Sequence, residues 1–324
     1  MHLTLLLLAL AHVYLAAAQL VGYATENGGT TGGQGGATTT VSSAAAFKTA
    51  ISTTSPIVVY LAAPINYTGQ YSVESDTSII GIDTSGSITG GGLKISDKSN
   101  IIVQNLLINN VVGQDAITVT ESQNVWIDHN EFYSDTTHGP DYYDGQVDIT
   151  HACDYVTVSW NYFHDHYKSS LVGASCGNED EDAGHFHITY HHNYWQSIHT
   201  RTPAMRFSHG HLYNNYYDGI ISQGIHSRCD AEMLVEGNVF VNSTEPLSTY
   251  GLVIPDDSPN TSPDGDLEQD GHANLGSVSD NDWGTGKINM TSTGNFTSVP
   301  YAYNLTELSD VAATVIAGAG IGKV

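Results

Sequence analysis

The chain has 324 residues, of which 40% are hydrophobic, enough for one large domain or two ordinary ones. Charged residues make up only 13%, while Gly (33) and Tyr (19) are abundant, a composition typical of extracellular β-rich proteins. The net charge of −25 argues against nucleic acid or anionic membranes as partners, because most of the surface would repel them. An acidic ligand would need bound cations or a local cluster of the nine Lys and Arg residues.

The N-terminus predicts secretion. An apolar run from Leu3 to Ala18 ends in three alanines before Gln19, which predicts a signal peptide at residues 1–18 and a mature domain at 19–324. The run is short for a membrane anchor, and no later segment is apolar for long enough to cross a bilayer. An extracellular glycoprotein fits the six Asn-X-Ser/Thr triplets at Asn66, Asn242, Asn260, Asn289, Asn295 and Asn304.

A short helix and a strand precede the rest of the fold. Ser42 or Ser43 followed by AAAFKTAI predicts a capped helix, and PIVVYLAAPI predicts a strand. Because a solenoid needs its terminal coils covered, this helix is expected to cap the N-terminal end.

A repeated segment organises the middle of the chain. Alternating apolar residues lead to an Asn that precedes a further apolar or aromatic residue. The copies are IIVQNLL at Asn105, VWIDHNEF at Asn130, VTVSWNYF at Asn161, ITYHHNYW at Asn193, HLYNNYY at Asn215 and MLVEGNVF at Asn238. Successive Asn residues are 25, 31, 32, 22 and 23 positions apart. A basic period of this length, extended by insertions, is that of one coil in a parallel β-solenoid.

Stacking explains why the repeated residue is Asn. Equivalent residues of stacked coils lie about 4.8 Å apart, so each amide can bond to the next. Asn also tolerates the left-handed conformation of a tight corner. An antiparallel sandwich alternates apolar and polar residues too, but gives no reason for Asn to recur at coil length. The stretch from Tyr250 to about Trp283, rich in Asp, Ser, Pro and Gly, is interpreted as a loop insertion.

Three cysteines allow at most one intramolecular disulfide. Cys153 and Cys176 are 23 positions apart, close to one coil, so stacking would bring their Cα atoms near a bridgeable distance. The spacing favours a Cys153–Cys176 bridge, although the pairing with Cys229 stays open.

Three aspartates offer the oxygen ligands that Ca²⁺ prefers. Asp144 and Asp148 occur in YYDGQVDIT, where four positions of plain strand would span about 13 Å, too far to share one ion, but Gly145 offers a bend. Asp115 lies 33 positions before Asp148, which is one coil plus an insertion at 133–143, so the two are expected to stack. The alternative is that all three are ordinary exposed carboxylates among 34 acidic residues.

Basic residues cluster just beyond these aspartates. Arg201 and Arg206, in RTPAMRF, are two of only three arginines, and Lys168 precedes Arg201 by 33 positions. Five positions of extended chain would point the two arginines to opposite sides unless Pro203 alters the course. Stacked cations are costly unless anions lie beside them, which predicts an acidic ligand or pairing with the aspartates.

The segment WIDH offers a tempting acid–base pair in Asp128 and His129. Because the same stretch carries the Asn repeat, Trp126, Asp128 and His129 are expected to form a structural network instead.

Several motifs in order resemble the pectate lyases of the pectate and pectin lyase superfamily. They are NVWIDHNEF, DGQVDIT, VTVSWNYFHDHYKSSLVG and RTPAMRF followed by HLYNNYY, with GGATTTVSSAAAFKTAI resembling the family's N-terminal region. The resemblance covers most of the mature chain and is densest from Ile101 to Asn238.

The resemblance implies a right-handed, single-stranded parallel β-helix that binds polygalacturonate through Ca²⁺. By motif position it implies calcium ligands at Asp115, Asp144 and Asp148, substrate-binding cations at Lys168 and Arg206, and the catalytic base at Arg201. Some bacterial members have a further acidic ligand where this chain has Gly113, a departure that bears on calcium affinity without substrate.

The implied reaction is a β-elimination that yields 4,5-unsaturated oligogalacturonides. A guanidinium does not ordinarily deprotonate, so Arg201 needs a lowered pKa or acts in part electrostatically. The alternatives are a pectin lyase acting on methylated pectin, a polygalacturonase that hydrolyses with paired carboxylates, and a non-catalytic pectin-binding protein. The expected partner is cell-wall pectin, with the protein a monomer.

Overall fold

The computed structural model describes residues 19–257, 259–276 and 281–324. The predicted signal peptide lies outside the described residues. The described part contains the helices α1 (Ala44–Ile51), α2 (Glu179–Asp182) and α3 (Leu308–Gly318), and 3-10 turns at Tyr23–Thr25, Cys176–Asn178 and Pro255–Asp257. In these residues no helix is long and apolar enough to cross a membrane.

Short strands make up most of the fold. In chain order they are β1 (Ala37–Val41), β2 (Ile57–Leu61), β3 (Ile65–Ser72), β4 (Thr77–Gly81), β5 (Ser87–Ser96), β6 (Ser99–Gln104), β7 (Leu107–Asn109), β8 (Ile117–Thr120), β9 (Gln123–Asp128), β10 (Glu131–Tyr133), β11 (Val147–Thr150), β12 (Asp154–Ser159), β13 (Tyr162–Lys168), β14 (Leu171–Val172), β15 (His187–His191), β16 (Tyr194–Thr200), β17 (Ala204–Arg206), β18 (His209–Tyr213), β19 (Tyr216–Asp218), β20 (Gln223–Arg228), β21 (Glu232–Glu236), β22 (Val239–Val241), β23 (Glu245–Ser248), β24 (Leu252–Val253), β25 (Asp266–Leu267) and β26 (His272–Asn274).

Equivalent strands of successive coils pair in parallel. Sheet 1 has ten strands in the order β1-β2-β4-β6-β9-β12-β15-β18-β21-β26. Sheet 2 has fourteen strands and consists of two stacks that meet at the long strand β5. One stack contains β7, β10, β13, β16, β19 and β22, the other contains β8, β11, β14, β17, β20 and β23, and β3 pairs with β5 off this path. A typical coil therefore contributes three strands. The predicted all-β, right-handed parallel β-helix is confirmed.

Alternation along each strand separates the core from the surface. In β11, Val147 and Ile149 are fully buried, while Asp148 between them points to the outer face. The same alternation in β8 buries Ile117 and Val119 and turns Thr118 outwards. The outer face of this stack is thus free to carry polar chemistry.

The predicted Asn ladder is present, with one member displaced. Each amide donates from Nδ2 to Oδ1 of the next at 3.0–3.1 Å, in the order Asn130, Asn161, Asn193, Asn215, Asn238 and Asn281. Each interior Oδ1 also accepts a backbone N–H from the preceding coil, and each second amide hydrogen goes to a backbone carbonyl, so the buried groups are satisfied.

Asn105 is not a ladder residue, which corrects the predicted register by one position. The backbone N–H of Leu106 donates to Asn130 Oδ1 at 2.9 Å, so Leu106 occupies the ladder position. Asn105 has a left-handed φ of 58°, as do the residues that precede the next ladder members, such as His129 and Trp160. The left-handed corner therefore falls one residue before the ladder, not on it.

Helix α1 covers the first coils of the solenoid as predicted, and helix α3, which was not predicted, packs elsewhere on it. Ser43, rather than Ser42, caps α1 by accepting a hydrogen bond from the Ala46 N–H at 3.3 Å. Phe47 and Ile51 are fully buried in the same hydrophobic cluster as the first coils. Helix α3 packs Val311 and Val315 against strands β19 and β22 of sheet 2.

The insertion after Tyr250 is shorter than predicted. Strands β24 and β25 form an antiparallel hairpin within it, but β26 rejoins sheet 1 by pairing with β21, and Asn281 continues the ladder. The loop therefore ends near Asp270, and we call residues 250–270 the acidic segment.

The favoured Cys153–Cys176 bridge is wrong. Cys176 is bonded to Cys229, with a Cα–Cα distance of 5.7 Å, and Cys153 is a buried free thiol. The strand that follows Cys153 pairs at an offset of 32 residues, for example Val156 with Ile188, so a spacing of 23 is not one coil here. Cys176 instead lies in a turn outside the strands.

Candidate active site

All six predicted site residues line one cleft on the outer face of sheet 2. The cleft has a volume of about 370 Å³. Its lining contains six carboxylates and three cations: Asp115, Asp144, Asp148, Asp257, Asp266 and Glu268, with Lys168, Arg201 and Arg206. The excess of negative charge favours a bound cation rather than an anion alone.

The register of neighbouring strands brings Asp115 and Asp148 together indirectly. Asp148 pairs with Thr118, not with Asp115, so the expected direct stacking of the two aspartates is wrong. Asp115 precedes β8 and receives hydrogen bonds from Thr118 Oγ1 at 2.6 Å and from the Gly145 N–H at 2.9 Å. Both carboxylates reach the cleft from adjacent coils.

Asp144 lies before β11, on the chain that leads into the strand. Glycine is needed at position 145, because a side-chain carbon there would overlap the carboxylate of Asp148. His166 accepts from Ser134 through Nδ1 at 2.5 Å and donates from Nε2 to the Asp144 carbonyl at 2.6 Å. Burial, with Lys168 adding to it, lowers the pKa of His166 to about 4, so the ring is neutral at pH 7 and holds the Asp144 backbone.

The surroundings of Asp115 and Asp148 disfavour the ionised form of both carboxyl groups. Burial raises the pKa of Asp148 well above its usual value, and the charge of Asp115 and then that of Asp144 raise it further against the opposing effect of Arg201. Burial also raises the pKa of Asp115, partly offset by its hydrogen bond from Thr118. Such mutual repulsion is what a divalent cation relieves.

Lys168 is buried beside this group. Its side chain is 4% exposed, and Nζ lies 3.0 Å from Asp141 Oδ1 and 3.5 Å from Asp144 Oδ1. Lys168 pairs with Thr200 in the strand register, so Arg201 lies one position beyond the equivalent point on the next coil. The two cations are near neighbours, as predicted, but not strict equivalents.

Arg201 and Arg206 face the same cleft although they are five residues apart. Arg201 has a left-handed φ of 62°, which breaks the strand alternation before β17. Its Nε donates to Asp257 Oδ1. Burial lowers the pKa of Arg201, but the charges of Asp257, Asp148 and Asp144 outweigh it and raise the pKa above its ordinary value.

Arg206 is held by a carboxylate that sequence reasoning missed. Its Nη2 and Nε donate to Glu268 Oε1 and Oε2 at 2.7 and 2.9 Å, and Nη1 donates to the Gly173 carbonyl at 2.7 Å. Glu268 and Asp257 both come from the acidic segment, which resembled any polar loop in the sequence. The only feature of the acidic segment that could have indicated a role was its run of acidic residues, in a chain with few cations to pair with them.

Trp126, Asp128 and His129 lie in or next to β9 of sheet 1 and do not line the cleft. Asp128 is fully buried, accepts from Ser159 Oγ at 2.6 Å and contacts His129 Nδ1 at 2.6 Å. Trp126 Nε1 also bonds to Ser159. The arrangement is the structural network that the sequence predicted.

Comparison with known proteins identifies the family. The sequence matches the family model described as pectate lyase over residues 2–324. The chain belongs to the pectate lyase family.

Individual relatives agree with this family. The probable pectate lyase A of Aspergillus fumigatus is 46% identical over 302 residues, which are 92% of this chain and 87% of the relative. Pectate lyase A of Emericella nidulans is 44% identical over 92% of this chain and 85% of the relative. The solved structure of a Bacillus pectate lyase in complex with trigalacturonate has a TM-score of 0.75 and 32% identity, covering 94% of this chain and 99% of that one. The predictions of the family and of a pectate lyase enzyme are confirmed.

Proposed function

We propose that this pectate lyase cleaves polygalacturonate by a calcium-dependent β-elimination in the cleft of sheet 2. The observation that carries the proposal is the convergence of Asp115, Asp144 and Asp148 with Lys168, Arg201 and Arg206 on one cleft, from chain segments up to 91 residues apart.

The donor set suits calcium. Carboxylate oxygens are the ligands that Ca²⁺ takes. Burial raises the pKa of both Asp115 and Asp148, and neighbouring carboxylates raise it further, which a bound cation would offset. Asp115, Asp144 and Asp148 would hold the ion. Bound there, Ca²⁺ would supply positive charge that draws in a substrate carboxylate and acidifies the adjacent C5–H.

The basic residues have separate roles in this scheme. Lys168 and Arg206 bind substrate carboxylates and place the sugar ring against Arg201. Arg201 first loses a guanidinium proton to water and then, as the neutral guanidine, takes the C5 proton. The C5–H electron pair forms the C4–C5 double bond, and the C4–O bond breaks. Water supplies the proton to the leaving oxygen. Arg206 has to bind the substrate carboxylate while it also binds Glu268, because its guanidinium already donates to the Glu268 carboxylate.

Calcium bound to the aspartates would also lower the pKa of Arg201. The charge of Asp257 raises the pKa of Arg201 most, and the charges of Asp148 and Asp144, which calcium would offset, add to it. Offsetting those charges lowers the free energy of deprotonating the guanidinium, which eases the conflict between a guanidinium and the role of a base.

One assay tests the proposal. The protein is incubated with polygalacturonate, with calcium or with a chelator, and both ultraviolet absorbance of unsaturated product and new reducing ends are followed. Chelator-sensitive absorbance is expected. Reducing ends without absorbance would indicate hydrolysis, activity only on methylated pectin in chelator would indicate a pectin lyase, and binding without turnover would indicate a non-catalytic role. We also propose that the protein is secreted and that it is a monomer in solution.

A further inference from the structure

Five charged residues form an alternating chain in the wall of the cleft, and all of them except Arg228 line it. Arg201 Nε contacts Asp257 Oδ1, Asp257 Oδ2 lies 3.0 Å from Arg228 Nη2, and Arg228 Nη1 lies 3.8 Å from Glu268 Oε2. Glu268 then binds Arg206 at 2.7 Å. All three arginines of the protein are thus joined by two carboxylates of the acidic segment.

The centre of this chain is removed from water. The side chains of Asp257 and Arg228 are both fully buried, and that of Arg201 is 7% exposed. A buried ion pair is weak grounds for stability, because desolvating two charges offsets much of their attraction. A role in orienting Arg201, which lines the cleft, accounts better for the presence of the buried pair.

Asp257 is itself firmly held. It ends the turn Pro255–Asp257, where its N–H donates to the Ile254 carbonyl at 2.9 Å. The neighbouring Asp256 ties this turn to the β-helix by accepting from Ser222 Oγ at 2.6 Å and contacting His199 Nδ1 at 3.1 Å. With one carboxylate oxygen on Arg201 and the other near Arg228, Asp257 cannot rotate without losing one of the two partners.

We propose that Asp257, backed by Arg228, is a positioning residue that fixes the guanidinium of Arg201 for its action on substrate. The inference rests on the proposed function of Arg201 and deepens it. The acidic segment is then part of the active site rather than a surface insertion.

The test compares Asp257→Asn with Asp264→Asn, which removes the same charge from an exposed position of the same segment. Asp257→Asn keeps the shape but weakens its hold on both guanidiniums. We expect kcat on polygalacturonate to fall by about 100-fold with little change in KM, since misplacing a reacting group by an ångström costs about that much. Asp264→Asn should match the wild type, and Asp257→Glu should recover part of the loss.

Crystal structures and a replacement variant make the result decisive. Crystal structures of both variants should show the Arg201 guanidinium displaced only in Asp257→Asn. If that variant does not fold, the charge-balanced pair Asp257→Asn with Arg228→Gln replaces it, and the same loss of kcat is expected.

Wild-type turnover together with an undisplaced Arg201 in Asp257→Asn would overturn the proposal. Failure of the proposed function would look different, because the wild type itself would then give no calcium-dependent unsaturated product.

Discussion

Thr118 donates a hydrogen bond of 2.6 Å to Asp115 and is also the strand partner of Asp148. A single threonine therefore links the carboxylates of two coils, since its hydroxyl orients one while its backbone sets the position of the other. The cleft depends on this register as much as on the acidic residues themselves.

Replacing Thr118 with Val is expected to weaken calcium binding. Val keeps the β-branched shape but removes the hydroxyl that orients Asp115, and the loss of such a supporting hydrogen bond typically costs about 10–100-fold in metal affinity. Calorimetric titration with calcium measures the effect. Thr120→Val, on the same strand but outside the cleft lining, is the control and should bind as the wild type does. Equal calcium affinities in all three proteins would show that the Thr118 hydroxyl does not support calcium binding.

Asp148→Asn is expected to stabilise the metal-free protein while abolishing its response to calcium. Burial and the charges of Asp115 and Asp144 disfavour the ionised form of Asp148, whereas Asn keeps an oxygen for the Leu171 N–H, which bonds Asp148 at 3.0 Å. A gain of about 1 kcal/mol would raise Tm by about 2 °C. Melting curves with calcium and with chelator measure both effects. A lower Tm in chelator would show that the charge of Asp148 stabilises the fold.

The stabilising effect of calcium should grow with pH. A carboxyl group whose pKa is raised by folding favours the folded state at low pH, and this contribution is lost as pH rises through the raised pKa. Asp115 and Asp148 both have raised pKa values, so the metal-free protein loses stability as they ionise. Calcium binds the ionised forms and offsets the loss. The difference in Tm between calcium and chelator should therefore be small below the ordinary carboxyl pKa of about 4 and increase above it. A difference independent of pH would contradict this assignment of ligands.

Gly145→Ala is expected to weaken calcium binding because the new methyl group would overlap the Asp148 carboxylate. Gly139→Ala is the matched control, since a methyl group there meets open space. Calcium titration of both variants separates a specific effect on Asp148 from a general effect of losing a glycine. Similar affinities would mean that the Asp148 carboxylate can move without cost.

The Asn ladder should matter for stability and not for chemistry. Asn193 is fully buried and both donates to and accepts from its ladder neighbours. Asn193→Ala leaves those partners unsatisfied and is expected to lower the free energy of unfolding by about 2–3 kcal/mol. Thermal unfolding measures the loss, and kcat of the folded variant should be unchanged. A variant as stable as the wild type would show that the neighbouring amides find other partners.

Features that repeat along the chain could be predicted from sequence, whereas features of one coil could not. The ladder from Asn130 to Asn238 recurs, so its stacking follows from period alone. Asn105 was misplaced by one residue, because a left-handed Asn and a ladder Asn look alike in sequence. The disulfide was misassigned because the coil after Cys153 is lengthened by an insertion, which no general period reveals.

The same limit applies to the cleft. Asp115, Asp144 and Asp148 were found through motifs, and their sequence spacing wrongly suggested that Asp115 and Asp148 stack. Asp257 and Glu268 lie outside the repeats, 56 and 62 residues from the arginines that they bind. Only the folded path of the acidic segment brings these charges together, so nothing in the local pattern could predict them.

The most direct test of the account is a crystal structure of an Arg201→Ala variant with calcium and trigalacturonate. We predict one calcium ion about 2.3–2.6 Å from oxygens of Asp115, Asp144, Asp148 and a substrate carboxylate, with Lys168 and Arg206 bound to the carboxylates of the sugar. A trigalacturonate bound in the cleft without calcium, or calcium bound only elsewhere, would contradict it.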